Sequence, residues 1–172
     1  MKTTIIRFKT SLLLCFTTAV LSACADYRFV FNDRLIYSPI ALLSDIKITD
    51  KALKNCINEY IASQRITIAS QLITLNCDHA GITELTGLGQ FSALQGLKLS
   101  HNSIEDLNPL RSLDLLEQLY LDSNLLKNIE ALSQLNALNT LDLRTNPNLS
   151  CAHIEDSLKQ IHAEIALPSQ CE

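Results

Sequence analysis

Four cysteines, Cys56, Cys77, Cys151 and Cys171, carry the most readable chemistry in this chain. They form two local pairs, 21 and 20 positions apart. In an oxidising compartment an even set of this kind reads as disulfides. Four cysteines allow three pairings, and locality selects Cys56–Cys77 and Cys151–Cys171. Closing each loop would contribute about 3 kcal/mol on chain-entropy grounds. Zinc is the competing chemistry, but neither CxxC nor HxxxH spacing is present, and His79, His101, His153 and His162 are scattered. The sequence has no GxSxG, no HExxH and no phosphate-binding glycine loop, and only 4 glycines. Asp106 and Asp142 are not spaced as a carboxylate pair, and Asp106 is better placed to support a turn. These absences lead us to expect no enzyme, no metal and no cofactor.

The elements that hold these residues come from a repeat. Leu72, Leu94, Leu116 and Leu138 are 22 residues apart, as are Leu75, Leu97, Leu119 and Leu141. Cys77, Leu99, Leu121 and Leu143 make a third column, and Asn102, Asn124 and Asn146 a fourth, with Ala80 in its first place. A fixed period in the twenties with LxxLxLxxNxI is the leucine-rich-repeat signature. Alternating residues such as Leu97 and Leu99 point one way from a short strand. The chain turns at the Asn, whose amide can both donate and accept. From Ile104 the apolar residues recur every third position, which suits a tight 3₁₀-like return. Pro109 also fits an irregular return better than an α-helix. Such coils bury their leucines only when stacked on neighbours.

GITELTGLGQF followed by LQGLKLSHNSIEDLNPL resembles the internalin-type bacterial leucine-rich repeats in its period, its NxI turn and its IxDLxPL return. The resemblance covers about 72–149. It implies an α/β solenoid, a short horseshoe of about four 22-residue coils with a parallel sheet on its concave face. Helical caps are expected at both ends. Over 49–71, Leu53, Cys56, Ile57 and Tyr60 lie on one helical face, with Thr49 or Asp50 as N-cap. Over 150–172, Ile154, Leu158, Ile161 and Ile165 do the same behind Ser150. With few residues to bury, two disulfide staples suit such a short array.

The first 23 residues join a basic start, Lys2, Arg7 and Lys9, to the apolar run Leu12–Leu21 and a small-residue end, a secretory signal pattern. Cys15 lies within it. The ending LSAC resembles the bacterial lipobox, which implies cleavage before Cys24 and lipid on that cysteine. Two or more acyl chains anchor stably. Ordinary cleavage with free secretion is the alternative. Ala25 after the cysteine, by resemblance to Gram-negative lipoproteins, implies the outer membrane. Residues 24–48 read as a tether and arm, with FVFNDRLIY alternating like a strand. Losing the leader takes the formal charge from −4 to −7, a poor match for nucleic acid.

What remains for function is a surface. Strand residues alternating with the leucines face the concave side. The candidates for partner contact are Asn76, Lys98, Ser100, Gln118, Tyr120, Asp122, Asp142 and Arg144. Tyr and Arg are frequent interface anchors. Four strands about 4.8 Å apart make a platform roughly 15–20 Å across, sized for a peptide, a loop or a glycan edge. A solvated sheet face is the alternative at any one position. The expectation is a monomeric, lipid-anchored envelope protein that binds a protein or peptide. A purely structural envelope lipoprotein, or an inhibitor of the immunity type, would use the same features differently.

Overall fold

The computed structural model describes residues 29–31, 34–37, 47–152, 154–159 and 161–171. The chain divides into two units, Met1–Ile40 and Ala41–Glu172. In the first, strand β1 (Phe29–Phe31) pairs antiparallel with β2 (Arg34–Tyr37), with an irregularity between Phe29 and Val30. The FVFNDRLIY alternation therefore becomes a two-stranded sheet of its own. The leader and Cys24 lie outside the described residues.

The second unit begins with helix α1 (Lys51–Gln64), and one carboxylate sets its start. Asp50 Oδ1 accepts from the Leu53 N–H at 2.8 Å, satisfying one of the donors every helix start leaves open. Its Oδ2 accepts from Thr83 N and Thr83 Oγ1, both at 3.0 Å, and from Glu84 N at 3.2 Å. One side chain thus caps the helix and ties it to the first coil. Leu53 and Ile57 are buried, and the Cys56–Cys77 disulfide fastens the same face to the array. The helix stops at Arg65, which is left-handed (φ 55°) and returns its N–H to the Ile61 carbonyl.

Burial alone would raise the Asp50 carboxyl, but its hydrogen bonds from Leu53, Thr83 and Glu84 together outweigh that and hold its pKa below the ordinary 3.8. A depressed carboxylate stabilises the fold fully above its unfolded value, and that contribution is lost as pH falls through the folded value. Asp50→Asn keeps an oxygen for Leu53 but presents N–H groups where Thr83 and Glu84 need an acceptor. Urea titrations should show it about 1–2 kcal/mol less stable at neutral pH, with the gap closing in acid as pH falls from the ordinary 3.8 through the lower folded value. A gap unchanged in acid would refute the assignment.

Four strands follow at the predicted period: β3 (Thr74–Asn76), β4 (Gly96–Lys98), β5 (Gln118–Tyr120) and β6 (Thr140–Asp142). They pair in parallel with Leu75, Leu97, Leu119 and Leu141 in register. The leucine columns form one continuous core, most members wholly buried. The returns contain 3₁₀ turns at Leu88–Gln90, Asn108–Leu110 and Glu130–Gln134. Asp106 does support its turn, accepting from Asn108 N at 3.0 Å and Asn108 Nδ2 at 2.7 Å.

The asparagine column is a ladder. Asn124 Oδ1 accepts from Ile104 N, one coil back, at 3.0 Å. Its Nδ2 donates to the carbonyls of Leu99, Leu121 and Asp122. Asn102 and Asn146 repeat the pattern against Ile82 and Leu126. The residue before each rung position is left-handed: His79, His101, Ser123 and Thr145, with φ 54–57°. This conformation turns the chain out of the strand and aims the Asn side chain inward.

The C-terminal cap differs from expectation. Helix α2 spans only Ile154–Leu158, so Ser150 is too far upstream to be its N-cap. Glu164–Ala166 is a fifth strand, β7, parallel to β6 with Ile165 in register with Leu141. The 4-3-4 spacing of Ile154, Leu158, Ile161 and Ile165 favours a helix locally. Continuing one would leave the open edge of β6 without partners for its backbone polar groups. As a strand, the segment supplies them: Glu164 N donates to Asn139 O and Leu143 N to Ala166 O, both at 2.8 Å. Tertiary pairing overrides the local period. The Cys151–Cys171 disulfide and a 2.7 Å bond from Gln170 Nε2 to Asn146 O secure the end.

Candidate functional site

Register across the sheet brings Asn76, Lys98, Tyr120 and Asp142 side by side on consecutive strands. Asn76, Lys98 and Gln118 are exposed and Tyr120 is half-buried. The Lys98 ammonium lies over the Tyr120 ring, 5.2 Å from its centroid, within cation–π range. Among the described residues Lys98 has no carboxylate partner. Asn76 Oδ1 accepts from the Asp78 N–H at 3.0 Å, which fixes the amide and leaves its Nδ2 available.

The other sequence candidates are less free. Ser100 is only 7% exposed, because the chain has begun its turn toward the Asn ladder there; its N–H donates to Asp78 Oδ1 at 2.8 Å. Asp142 is also 7% exposed. Arg144 clamps it through Nη2 at 2.6 Å and Nε at 3.0 Å. The Arg144 hydrogen bonds hold the Asp142 carboxyl below the usual aspartate range. Neither Ser100 nor the Asp142 carboxylate is open to a partner as the sequence pattern implied; Arg144, which covers Asp142, is the exposed member of that pair. Asp122 is half-buried, with Ser123 Oγ at 3.3 Å and His101 Nε2 at 3.6 Å. The His101 ring stacks on His79 with centroids 4.1 Å apart.

Two residues outside the partner-contact candidates shape the site: Tyr60, read from sequence as part of the cap helix, and Gly96, read as facing the concave side. The helical pattern puts Tyr60 on the apolar face of α1. The fold carries its hydroxyl to the sheet, 2.8 Å from Thr74 Oγ1. Gly96 takes a strand position where an added Cβ would stand 3.3 Å from Thr74 Cγ2. With no side chain there, a notch of about 210 Å³ opens between Tyr60, Thr74, Gly96, Lys98, Gln118 and Tyr120. The Gly at position 96 of an otherwise side-chain-bearing column was the available signal. Two wider depressions, of about 580 and 570 Å³, lie beside the Cys56–Cys77 bridge and along the Glu84–Glu105–Asp106 returns. Among the described residues no three His, Cys, Asp or Glu side chains converge as metal ligands.

The family model described as the endo-beta-N-acetylglucosaminidase EndoS LRR domain matches residues 48–164. The chain belongs to this leucine-rich-repeat family. The match runs from the entry to α1 through the start of β7, so this repeat domain includes its N-terminal cap. An internalin from Listeria monocytogenes is similar in structure, with TM-score 0.63 and 24% identity over 76% of this chain and 39% of that one. Internalin C2 from the same organism gives TM-score 0.55 and 24% identity over 69% of this chain and 65% of that one. The functional domain of its InlJ gives 0.51 and 22%, over 64% and 27%. At these identities the likeness is one of fold, and this chain spans 39% and 65% of the first two structures. Comparison with curated proteins finds no match. Leucine-rich-repeat solenoids generally serve protein–protein interaction, through the concave surface that stacking creates.

Proposed function

We propose that this leucine-rich-repeat domain is a non-enzymatic, lipid-anchored module of the bacterial envelope that binds a protein or peptide partner on its concave face. The observation that carries the reading is the row Asn76–Lys98–Tyr120, exposed at Asn76 and Lys98 and half-buried at Tyr120, held in register by three strands and not consumed by the fold. The leucines and asparagines of each coil are committed to the core and the ladder, so the alternating residues are the ones left to recognise something. The family's description attaches such a domain to an endo-beta-N-acetylglucosaminidase; here we take the repeats as a recognition element. The LSAC ending supports a lipid on Cys24, which the mass of the membrane-extracted protein would reveal as acyl chains on an N-terminal cysteine. An unmodified or differently cleaved N-terminus would remove the anchor from the proposal.

The binding test is capture from envelope extract. A Lys98→Ala/Tyr120→Ala/Arg144→Ala variant should lose at least about 90% of the main captured protein, since truncating a hot-spot residue costs about 2 kcal/mol or more. Arg144→Ala alone measures the stability lost by uncovering Asp142, and the urea midpoint of the triple variant should lie close to that of this single variant. Unaltered capture would overturn the concave site.

A further inference from the structure

The notch beside Lys98 has a chemistry of its own, and the inference from it rests on the concave-face reading above. We propose that it is a subsite for one acidic side chain, a glutamate or aspartate, on an extended segment of the protein partner. Three observations converge. First, three polar groups around it can donate: Lys98 Nζ has no carboxylate partner among the described residues, Asn76 Nδ2 is left available by the Asp78 contact, and the Gln118 amide is exposed. Second, no Asp or Glu lines it. The nearest carboxylate along the same row, Asp142, is already neutralised by Arg144. In a chain with formal charge −4 this is a locally positive recess, so charge complementarity favours an anionic guest. Third, its size suits a side chain. At about 210 Å³ it is below the roughly 300 Å³ where small-molecule pockets begin.

The walls explain how such a guest would be held. Tyr60 and Tyr120 flank the opening and would cover the methylenes of a glutamate. Tyr60 is locked by its bond to Thr74, and Tyr120 holds the Lys98 ammonium over its face without neutralising it. The Gly96 floor lets the carboxylate descend to the level of the strand. A charge-assisted hydrogen bond from a pre-positioned ammonium is stronger than one between neutral groups.

The test uses the full chain in detergent and two blocked heptapeptide libraries, alike except for a central Glu or Gln. Backbone amide shifts of Gly96, Lys98 and Tyr120 report occupancy. Glu peptides should bind about tenfold more tightly than Gln peptides, the ratio expected if one charge-assisted bond distinguishes them. Lys98→Met should erase the preference and Lys98→Arg should retain most of it. Gly96→Val should weaken both libraries by filling the recess. Equal binding of the two libraries, or a preference that survives Lys98→Met, overturns the proposal. So does N-acetylneuraminic acid shifting these amides while Glu peptides do not, since the guest would then be a sugar acid. Loss of envelope capture by the triple variant with equal Glu and Gln binding would leave concave recognition standing and remove the acid subsite. A Lys98-dependent Glu preference with unaltered capture would support the subsite and overturn the concave reading of the envelope partner.

Discussion

Replacing Asn124 with alanine should lower the stability of the repeat domain by about 2–3 kcal/mol, since a buried polar group left unpaired costs roughly 1–3 kcal/mol and two further carbonyls each lose a donor. Asn124 is 2% exposed and makes four hydrogen bonds, every one to backbone. Its removal strands the Ile104 N–H away from water and takes one of two amide donors from each of the Leu99 and Leu121 carbonyls, which keep Asn102 Nδ2 and Asn146 Nδ2. Asn146, with no exposure at all, should behave alike, and Asn102, half-buried nearer the cap, should lose less. The exposed Asn148→Ala is the control. Urea unfolding followed by circular dichroism measures all four. If Asn124→Ala falls within about 0.5 kcal/mol of the surface control, the range usual for exposed sites, the ladder is not what braces the turns.

Gly87→Ala should cost about 2–5 kcal/mol, combining left-handed backbone strain with overpacking. Gly87 has φ +95°, and an added Cβ would stand 2.1 Å from the Lys47 carbonyl oxygen and 2.9 Å from Ile48 Cδ1. The obstacle is largely backbone, so no rotamer change relieves it. The entry segment at 47–48 would have to lift off the coil, disturbing Asp50 and α1 behind it. Gly81 separates the two effects: its φ is +77°, but nothing lies within 4 Å of an added Cβ. Gly81→Ala should therefore show the conformational cost alone, about 1–2 kcal/mol. Thermal or urea midpoints that rank Gly81→Ala as equal to or worse than Gly87→Ala would mean that the Lys47 contact does not hold the cap in place.

Much of the architecture was legible before any coordinates. Columns 22 residues apart marked the strands, the core face and the Asn turns, because every coil meets its neighbour at the same offset. The pairings Cys56–Cys77 and Cys151–Cys171 followed from locality: the first joins the N-terminal cap to the coil beside it, and the second closes the C-terminal cap on itself. The candidate site was legible only in part. Alternation identified which residues leave the core but not how far they remain open. Lys98 and Tyr120 stand at the surface, whereas Ser100 sinks into the bend and Asp142 is covered by Arg144 two residues on. Hydrophobic periodicity carries no information about what a neighbouring polar side chain will cover.

By itself the sequence determined the repeating part of this protein: the coil length, the parallel register, the leucine core and the asparagine ladder. Each is a contact repeated at one fixed offset, so the pattern states it several times over. The tertiary structure decided what happens where the repeat stops. It made a fifth strand of a segment with helical spacing, because the β6 edge had backbone groups to pair. It set the Lys47 carbonyl against Gly87, and it brought Tyr60 from the cap helix to the notch beside Gly96 and Lys98. Those contacts occur once each, between segments of unrelated sequence, and only the packed chain specifies them.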